Sequence, residues 1–272
     1  MTAINYRKLE VRLASSEDEI REAQKLRYEV FYREMGARPE GPTAATGLDR
    51  DRFDDYCDHL LVVDPERPRW DRRIVGTYRI IRRSVAIEND GFYSSREYDL
   101  SPIADYPGEI IEMGRSCVDP LYRSRGTLQL LWRGVADYID AFDISLMFGC
   151  ASMPGTNPDA VGPHLCYLHH NHLAPEHMRP KALDHLHVPM DAIPADQVDM
   201  RKALSSLPPL LKGYLRVGGI VGDGAVVDEQ FNTTDVFVMV PTNTITEKYN
   251  RHYGLSTTDD KGGNGFVHQP DP

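Results

Sequence analysis

No stretch of about eighteen consecutive apolar residues occurs in the 272-residue chain, so the sequence offers no helix long enough to cross a bilayer. The first thirteen residues carry charges at Arg7, Lys8, Glu10 and Arg12 and no apolar centre, and a secretory leader is not expected. Cysteine is scarce. Cys57, Cys117, Cys150 and Cys166 stand far apart without a Cys-x-x-Cys pair, which argues against a disulfide framework and fits reduced thiols in a cytoplasmic protein. Basic residues are outnumbered, 31 Lys and Arg against 41 Asp and Glu, and the formal net charge of −10 argues against free nucleic acid as the main partner. An acidic partner would need a local basic patch, either Arg67, Arg69, Trp70, Arg72 and Arg73 or Arg123, Arg125 and Arg133. Internal repeats are absent.

What is present is enough apolar content, 41%, for one large core. Residues 9–13 alternate like a short strand, and Ser16 followed by Glu19 is a capping box that opens a helix ended by Gly36. Ile20, Ala23, Val30 and Phe31 share one face of that helix, and Arg27 lies on the same stripe, where a guanidinium calls for an anion. Residues 60–63 and 74–81 predict a β-hairpin around an Arg-rich turn with Pro65 and Pro68. A strand over 109–118, a basic loop ending at Gly126, a helix over 127–142 and a strand over 144–151 together predict a parallel crossover unit. Nine of the nineteen prolines and seven of the ten histidines fall within 154–209, which predicts a Pro/His-rich helical insert. A helix over 208–217 and a last strand over 231–240 follow. The expected organisation is a single α/β domain over 1–255, with 154–209 inserted, and a disordered tail over 256–272.

The strand over 109–118 places two carboxylates and an arginine where burial is expected, and a buried charge demands a partner or a role. In a regular strand Glu112 and Arg115 would face opposite sides; a bulge at Gly114 would turn both toward one face and free a backbone N–H. Burial would raise the Glu112 pKa and suit it to accept a proton from an amine. Arg123, Arg125, Gly126 and Thr127, just ahead of a helix, read either as a phosphate cradle of free N–H groups and guanidiniums or as a plain basic loop. The run Asp54, Asp55, Asp58 reads either as an acidic turn or as a cation site. The histidines show no zinc spacing, and neither a metal nor a cysteine nucleophile is expected.

Leu26-Arg27-Tyr28-Glu29-Val30-Phe31, the run from Asp54 to His59, Glu112-Met113-Gly114-Arg115-Ser116, Leu130-Leu131-Trp132, Pro208 to Arg216 and Phe231-Asn232-Thr233-Thr234-Asp235 together resemble the L-ornithine Nα-acyltransferases of ornithine-lipid synthesis. That group is similar to the acyl-homoserine-lactone synthases on the GNAT acyltransferase fold, in which an Arg, a Phe, paired Asp residues and a Glu-x-x-Arg occur in this order. Here those are Arg27, Phe31, Asp55 with Asp58, and Glu112 with Arg115. Gly36-Ala37-Arg38 stands where lactone synthases carry a Trp, and the insert is longer, which argues against lactone synthesis from S-adenosylmethionine.

The resemblance implies a mixed central sheet flanked by helices, with the strands over 109–118 and 144–151 splayed around a thioester. It implies transfer of a 3-hydroxyacyl group from acyl carrier protein to the α-amine of ornithine, with no cofactor beyond the carrier's phosphopantetheine thioester. The implied catalytic set is Glu112, Gly114 and Arg115; the amino-acid set is Arg27, Phe31, Asp55, Asp58 and Arg79; the phosphopantetheine set is Arg123, Arg125, Gly126 and Thr127. Charge matching assigns the acceptor carboxylate to Arg27 and its side-chain ammonium to Asp55 and Asp58. The expected location is the cytoplasm, with peripheral contact at the inner membrane face; glutamine or lysine as acceptor, and a non-catalytic carrier- or membrane-binding module, are the competing readings.

Overall fold

Within β2 (Asp58–Val63) the apolar run is buried on both sides: Leu60 and Val62 enter one hydrophobic cluster while Leu61 and Val63 enter another. A strand buried on both faces belongs inside a sheet covered by helices above and below. In the computed structural model, which describes residues 9–68 and 71–244, this is the arrangement found. The expected tail over 256–272, and Arg69 and Trp70 of the first basic patch, lie outside the described residues.

The strands are β1 (Glu10–Leu13), β2, β3 (Ile74–Arg82), β4 (Tyr98–Asp99), β5 (Glu109–Val118), β6 (Ile144–Pro154), β7 (Lys181–Ala182), β8 (Ile220–Asp228) and β9 (Thr233–Pro241). They form one mixed sheet in the order β1-β2-β3-β5-β6-β9-β8-β7-β4. β5 and β6 run parallel, so the chain must cross a face of the sheet between them, and a helix makes that crossing.

The helices are α1 (Glu17–Tyr28), α2 (Gly41–Thr46), α3 (Arg83–Glu88), α4 (Ser101–Ala104), α5 (Arg125–Ala141), α6 (Pro158–His172), α7 (Met200–Ser206) and α8 (Pro209–Arg216). α5 makes the crossing. Its Leu131, Trp132, Val135 and Tyr138, spaced to share one face, pack with Leu60, Val62, Val75 and Ile80 of the sheet. On the opposite face α1 sets Ala23 and Leu26 against Leu61, Val63 and Ile74. Ser16 caps α1 as expected, its side chain accepting from the Glu19 N–H. The chain continues as a π-helical turn over Glu29–Glu34 and breaks at Gly36, whose φ of +83° only glycine adopts freely.

The fold is thus the GNAT-like α/β architecture expected. Three elements differ in detail. α5 begins at Arg125 rather than residue 127, because Ser124 caps it by accepting from the Thr127 N–H. β8 was not legible, since Gly222 and Gly224 interrupt its alternation and its pairing with β9 shifts between Val221 and Ala225. The 154–209 segment builds no separate core: Val161, Leu165 and Leu168 of α6 join Ala151 and Met153 of β6 and Val236 and Val238 of β9 in one cluster.

Candidate active site

The pairing of β5 with β6 stops at Glu112 opposite Phe148, although both strands continue well beyond that point. A bulge in β5 marks the parting. Against β3, Gly114 pairs with Arg79 and Cys117 with Thr77, three steps on β5 for two on β3. The extra residue takes up its left-handed turn at Arg115, with φ +50°, and not at Gly114, whose φ stays negative. An arginine in that region costs about 1 kcal/mol or more, and such strain persists where surrounding contacts fix it. Here the Arg115 guanidinium lies over the rings of Tyr93, at 4.8 Å, and Phe231, at 4.6 Å. On the other strand Gly149 lets β6 approach the Met113 carbonyl so closely that a Cβ there would collide with its oxygen.

The parted strands open a cavity of about 720 Å³, the size of an ordinary small-ligand site. Its lining follows β5 from Glu112 to Val118, roughly 20 Å of strand, and takes Cys150, Ala151 and Ser152 from β6. Val30, Met35, Leu128, Leu131, Leu210 and Tyr214 make much of the wall apolar, which favours an apolar occupant.

Glu112 sits at the apex of the wedge, 4% exposed. Its carboxylate accepts from the Tyr93 N–H at 2.6 Å, the Ser94 N–H at 2.7 Å and the Ser94 hydroxyl at 2.5 Å. Burial raises its pKa above the ordinary carboxylate value, and those three donors recover only part of the shift. The donors come from a single 3-10 turn, Tyr93–Arg96. Ser94 Oγ also lies 3.4 Å from Cys150 Sγ, and that thiol donates to Glu97 Oε2 at 3.1 Å.

Behind Arg115 lies a balanced network of three arginines and three aspartates. Arg27 Nε bonds Asp49 Oδ2 at 2.7 Å, and its two terminal nitrogens hold Asp54 at 2.7 and 2.9 Å. Arg79 Nη1 bonds Asp51 Oδ1 at 2.6 Å; Arg115 lies 3.3 Å from both Asp49 and Asp51. Arg27 is fully buried and does not line the cavity, so it is no seat for an acceptor carboxylate; its stripe position on α1 was right but its anions are internal. Asp55 is exposed and pairs with Arg50 at 2.9 Å, while Asp58 accepts from the Tyr138 hydroxyl at 2.6 Å. Neither lines the cavity, because the turn over Arg52–Asp55 points Asp54 inward instead. Phe31, Arg79, Gly114 and Arg115 do line it.

At the start of α5, Arg125 is exposed on the cavity lining, and no ion pair is found for it among the described residues. Arg123 lines the cavity too, but both terminal nitrogens hold Glu34, at 2.5 and 2.6 Å. Thr127 is fully buried and neither it nor Gly126 lines the cavity, which leaves the lining at the start of α5 to Ser124, Arg125 and Leu128.

Sequence reasoning missed the partners more than the principals. Ser94, which holds Glu112, sits in a polar stretch without periodicity, and Asp49 and Asp51 give no signal until Arg27 is seen to be buried. It also missed a trio of carboxylates, Glu97, Asp228 and Asp235, whose oxygens lie within 4.8 Å of one another. Asp228 and Asp235 line the cavity. Burial, then the neighbouring carboxylates, raises the Glu97 pKa to about 7; burial above all raises that of Asp235 to about 6.

Residues 26–133 match the acetyltransferase (GNAT) domain family. The chain is 47% identical to an L-ornithine N(alpha)-acyltransferase of Brucella abortus, over 90% of this chain and 89% of the relative. It is 45% identical to one of Agrobacterium fabrum, over 90% and 85%. Among solved structures it is similar in fold to FeeM, an N-acyl amino acid synthase from uncultured soil microbes, with TM-score 0.51, 10% identity, and coverage of 91% of this chain and 98% of that one. The AHL synthase LasI is similar as well, with TM-score 0.50, 12% identity, and coverage of 93% and 98%.

Proposed function

This chain belongs to the L-ornithine Nα-acyltransferase family, enzymes on the GNAT fold, and from that premise we propose that it moves a 3-hydroxyacyl group from acyl carrier protein onto the α-amine of L-ornithine. The observation that carries the proposal is the wedge between β5 and β6, open beyond Glu112, with a buried carboxylate at its apex and the first turn of α5 on its lining.

The carrier's phosphopantetheine phosphate rests at the start of α5 beside Arg125, where the helix N-terminus and a guanidinium with no ion pair among the described residues favour an anion. The thioester then lies along β5, whose β6 side from Gly114 onward borders the cavity. Backbone N–H groups on such an edge stabilise the oxyanion that forms on the thioester carbonyl. The acyl chain occupies the apolar wall of Val30, Leu128, Leu131 and Leu210. Arg115, with Arg79, fixes the acceptor α-carboxylate, in place of Arg27.

The neutral α-amine attacks the carbonyl carbon, a C–N bond forms, the C–S bond breaks, and the carrier leaves as a thiolate that takes up the proton released by the amine once Glu112 has accepted it. Glu112 accepts the proton that the amine loses, through the Ser94 hydroxyl that donates to it. No acyl-enzyme is required, and burial holds the Cys150 thiol far above its ordinary pKa, protonated at neutral pH.

Mass spectrometry of lipids from bacteria expressing this chain tests the proposal. A 3-hydroxyacyl amide of ornithine, absent from cells carrying Glu112→Gln, is the expected result; acylated glutamine or lysine without acylated ornithine would replace the acceptor, and no acylated amino acid would overturn the reading.

A further inference from the structure

Three carboxylates gathered beside a cavity do not by themselves make a site. Two further observations at this place point to a ligand. Asp235 is 6% exposed, yet its Oδ1 has no hydrogen-bond partner. Thr233, two residues earlier on β9, is 2% exposed, and its hydroxyl, near enough to Asp235 to act on that carboxylate, makes no hydrogen bond of good geometry. Both residues line the cavity. A buried carboxylate oxygen and a buried hydroxyl left unsatisfied each cost about 1 to 3 kcal/mol, and native proteins keep such groups where something else completes them.

We propose that Asp228 and Asp235 on the cavity lining, with the Thr233 hydroxyl and with the Glu97 carboxylate grouped behind them, form the seat for the side-chain ammonium of the amino-acid acceptor. This deepens the ornithine reading and rests on it. An ammonium has three donors and no acceptor, which suits a pocket dominated by carboxylate acceptors. The wall is built for one positive charge: three carboxylates converge within 4.8 Å, and the thiol of Cys150 donates to one of them. Arg115, which holds the α-carboxylate in this reading, is close enough for its charge to act on Asp235. One cavity therefore presents a cation and an anion cluster to a molecule with an α-carboxylate at one end and an ammonium at the other. Asp55 and Asp58, the acidic pair suggested by sequence, face away from this cavity and cannot do it. A divalent cation is the rival occupant. It would require six or more oxygen ligands in the case of calcium, or near-octahedral geometry for magnesium.

Norvaline, which is ornithine without its terminal amine, is the discriminating probe. The full-length chain is assayed with a 3-hydroxyacyl carrier thioester and either L-ornithine or L-norvaline, for wild type, Asp235→Asn and the less buried Asp228→Asn. Wild type should prefer ornithine strongly, and each variant should reduce the ornithine-over-norvaline ratio of kcat/KM by tenfold or more, chiefly through KM. Circular dichroism melting identifies a variant that has lost its fold; Asp228→Asn, on a half-exposed position, guards against that outcome for Asp235. An unchanged ratio in folded variants would overturn the seat. So would retained preference together with manganese or calcium binding that both substitutions abolish. Wild type unable to acylate ornithine at all would overturn the acceptor reading itself, a result distinct from loss of discrimination in the variants.

Discussion

Arg27 and Asp54 face each other in a two-pronged pair, at 2.7 and 2.9 Å, with neither side chain more than 1% exposed. Asp49 completes the shell around the guanidinium at 2.7 Å, and Asp49 in turn lies 3.3 Å from Arg115 on the cavity wall. Arg27 thus positions Arg115 without touching the cavity.

Breaking that pair from one side leaves a buried charge without its partner. Arg27→Ala or Asp54→Asn should each destabilise the fold by about 3 to 5 kcal/mol, read by urea denaturation. Burial alone would raise the Asp54 pKa, but the charges of Arg27 and Arg79 overcome it, and Asp54 titrates far below its ordinary value. A depressed carboxylate stabilises above its unfolded pKa, near 3.9, and that stability is lost as pH falls below it. The stability difference between wild type and Asp54→Asn should therefore shrink below pH about 4. Substitutions costing under 1 kcal/mol would mean the pair is not the keystone described.

Glu112→Gln should keep the fold and lower kcat about 10²- to 10⁴-fold, the worth of a positioned general base. Since burial raises the Glu112 pKa and the base acts only when ionised, wild-type rate should rise with pH through a limb above the ordinary carboxylate range. The variant should lack that limb. A Glu112→Gln rate within a factor of two of wild type would assign the proton elsewhere, with Glu97 the nearest alternative through Cys150.

Arg125 carries the carrier contact in this account, more than Arg123, whose guanidinium is engaged by Glu34. Arg125→Ala should raise the KM for the acyl carrier and flatten its dependence on salt, since a screened ion pair has been removed. Unaltered salt sensitivity would move docking to another surface, such as the one that holds Arg67 and Arg72.

Direct attack predicts that no protein-bound acyl group accumulates. Burial raises the Cys117 thiol to a pKa of about 12 and Cys150 well above its ordinary value, so neither is a thiolate at neutral pH. Intact-mass spectra after mixing with donor alone should show the unmodified chain; an acyl adduct on Cys150 would require a covalent step.

Residues that build the main chain frame were legible in the sequence, because a buried strand, a capping box and a helix-face stripe are local patterns. Glu109–Val118 came out to the residue, and the capping of α1 by Ser16 did as well. The bulge was foreseen at Gly114 as the residue most able to bend, yet the left-handed position is Arg115, where two aromatic rings hold the guanidinium. Charge partners were the harder matter. Arg27 lies 22 and 27 positions from Asp49 and Asp54, and no spacing rule chooses among six aspartates between residues 49 and 64. Asp228 and Asp235 share the β8–β9 hairpin, and only the tertiary fold brings Glu97, far earlier in the chain, within reach of them.

Reconstitution with purified components bears most directly on the central claim. The full-length protein, a 3-hydroxyacyl carrier thioester and L-ornithine labelled with nitrogen-15 at the α-position are mixed, and the product is fragmented by tandem mass spectrometry. The account predicts an amide on the labelled nitrogen, release of one carrier thiol per amide, and loss of both with Glu112→Gln. Acylation on the side-chain nitrogen, or carrier thiol released without any amide, would contradict it.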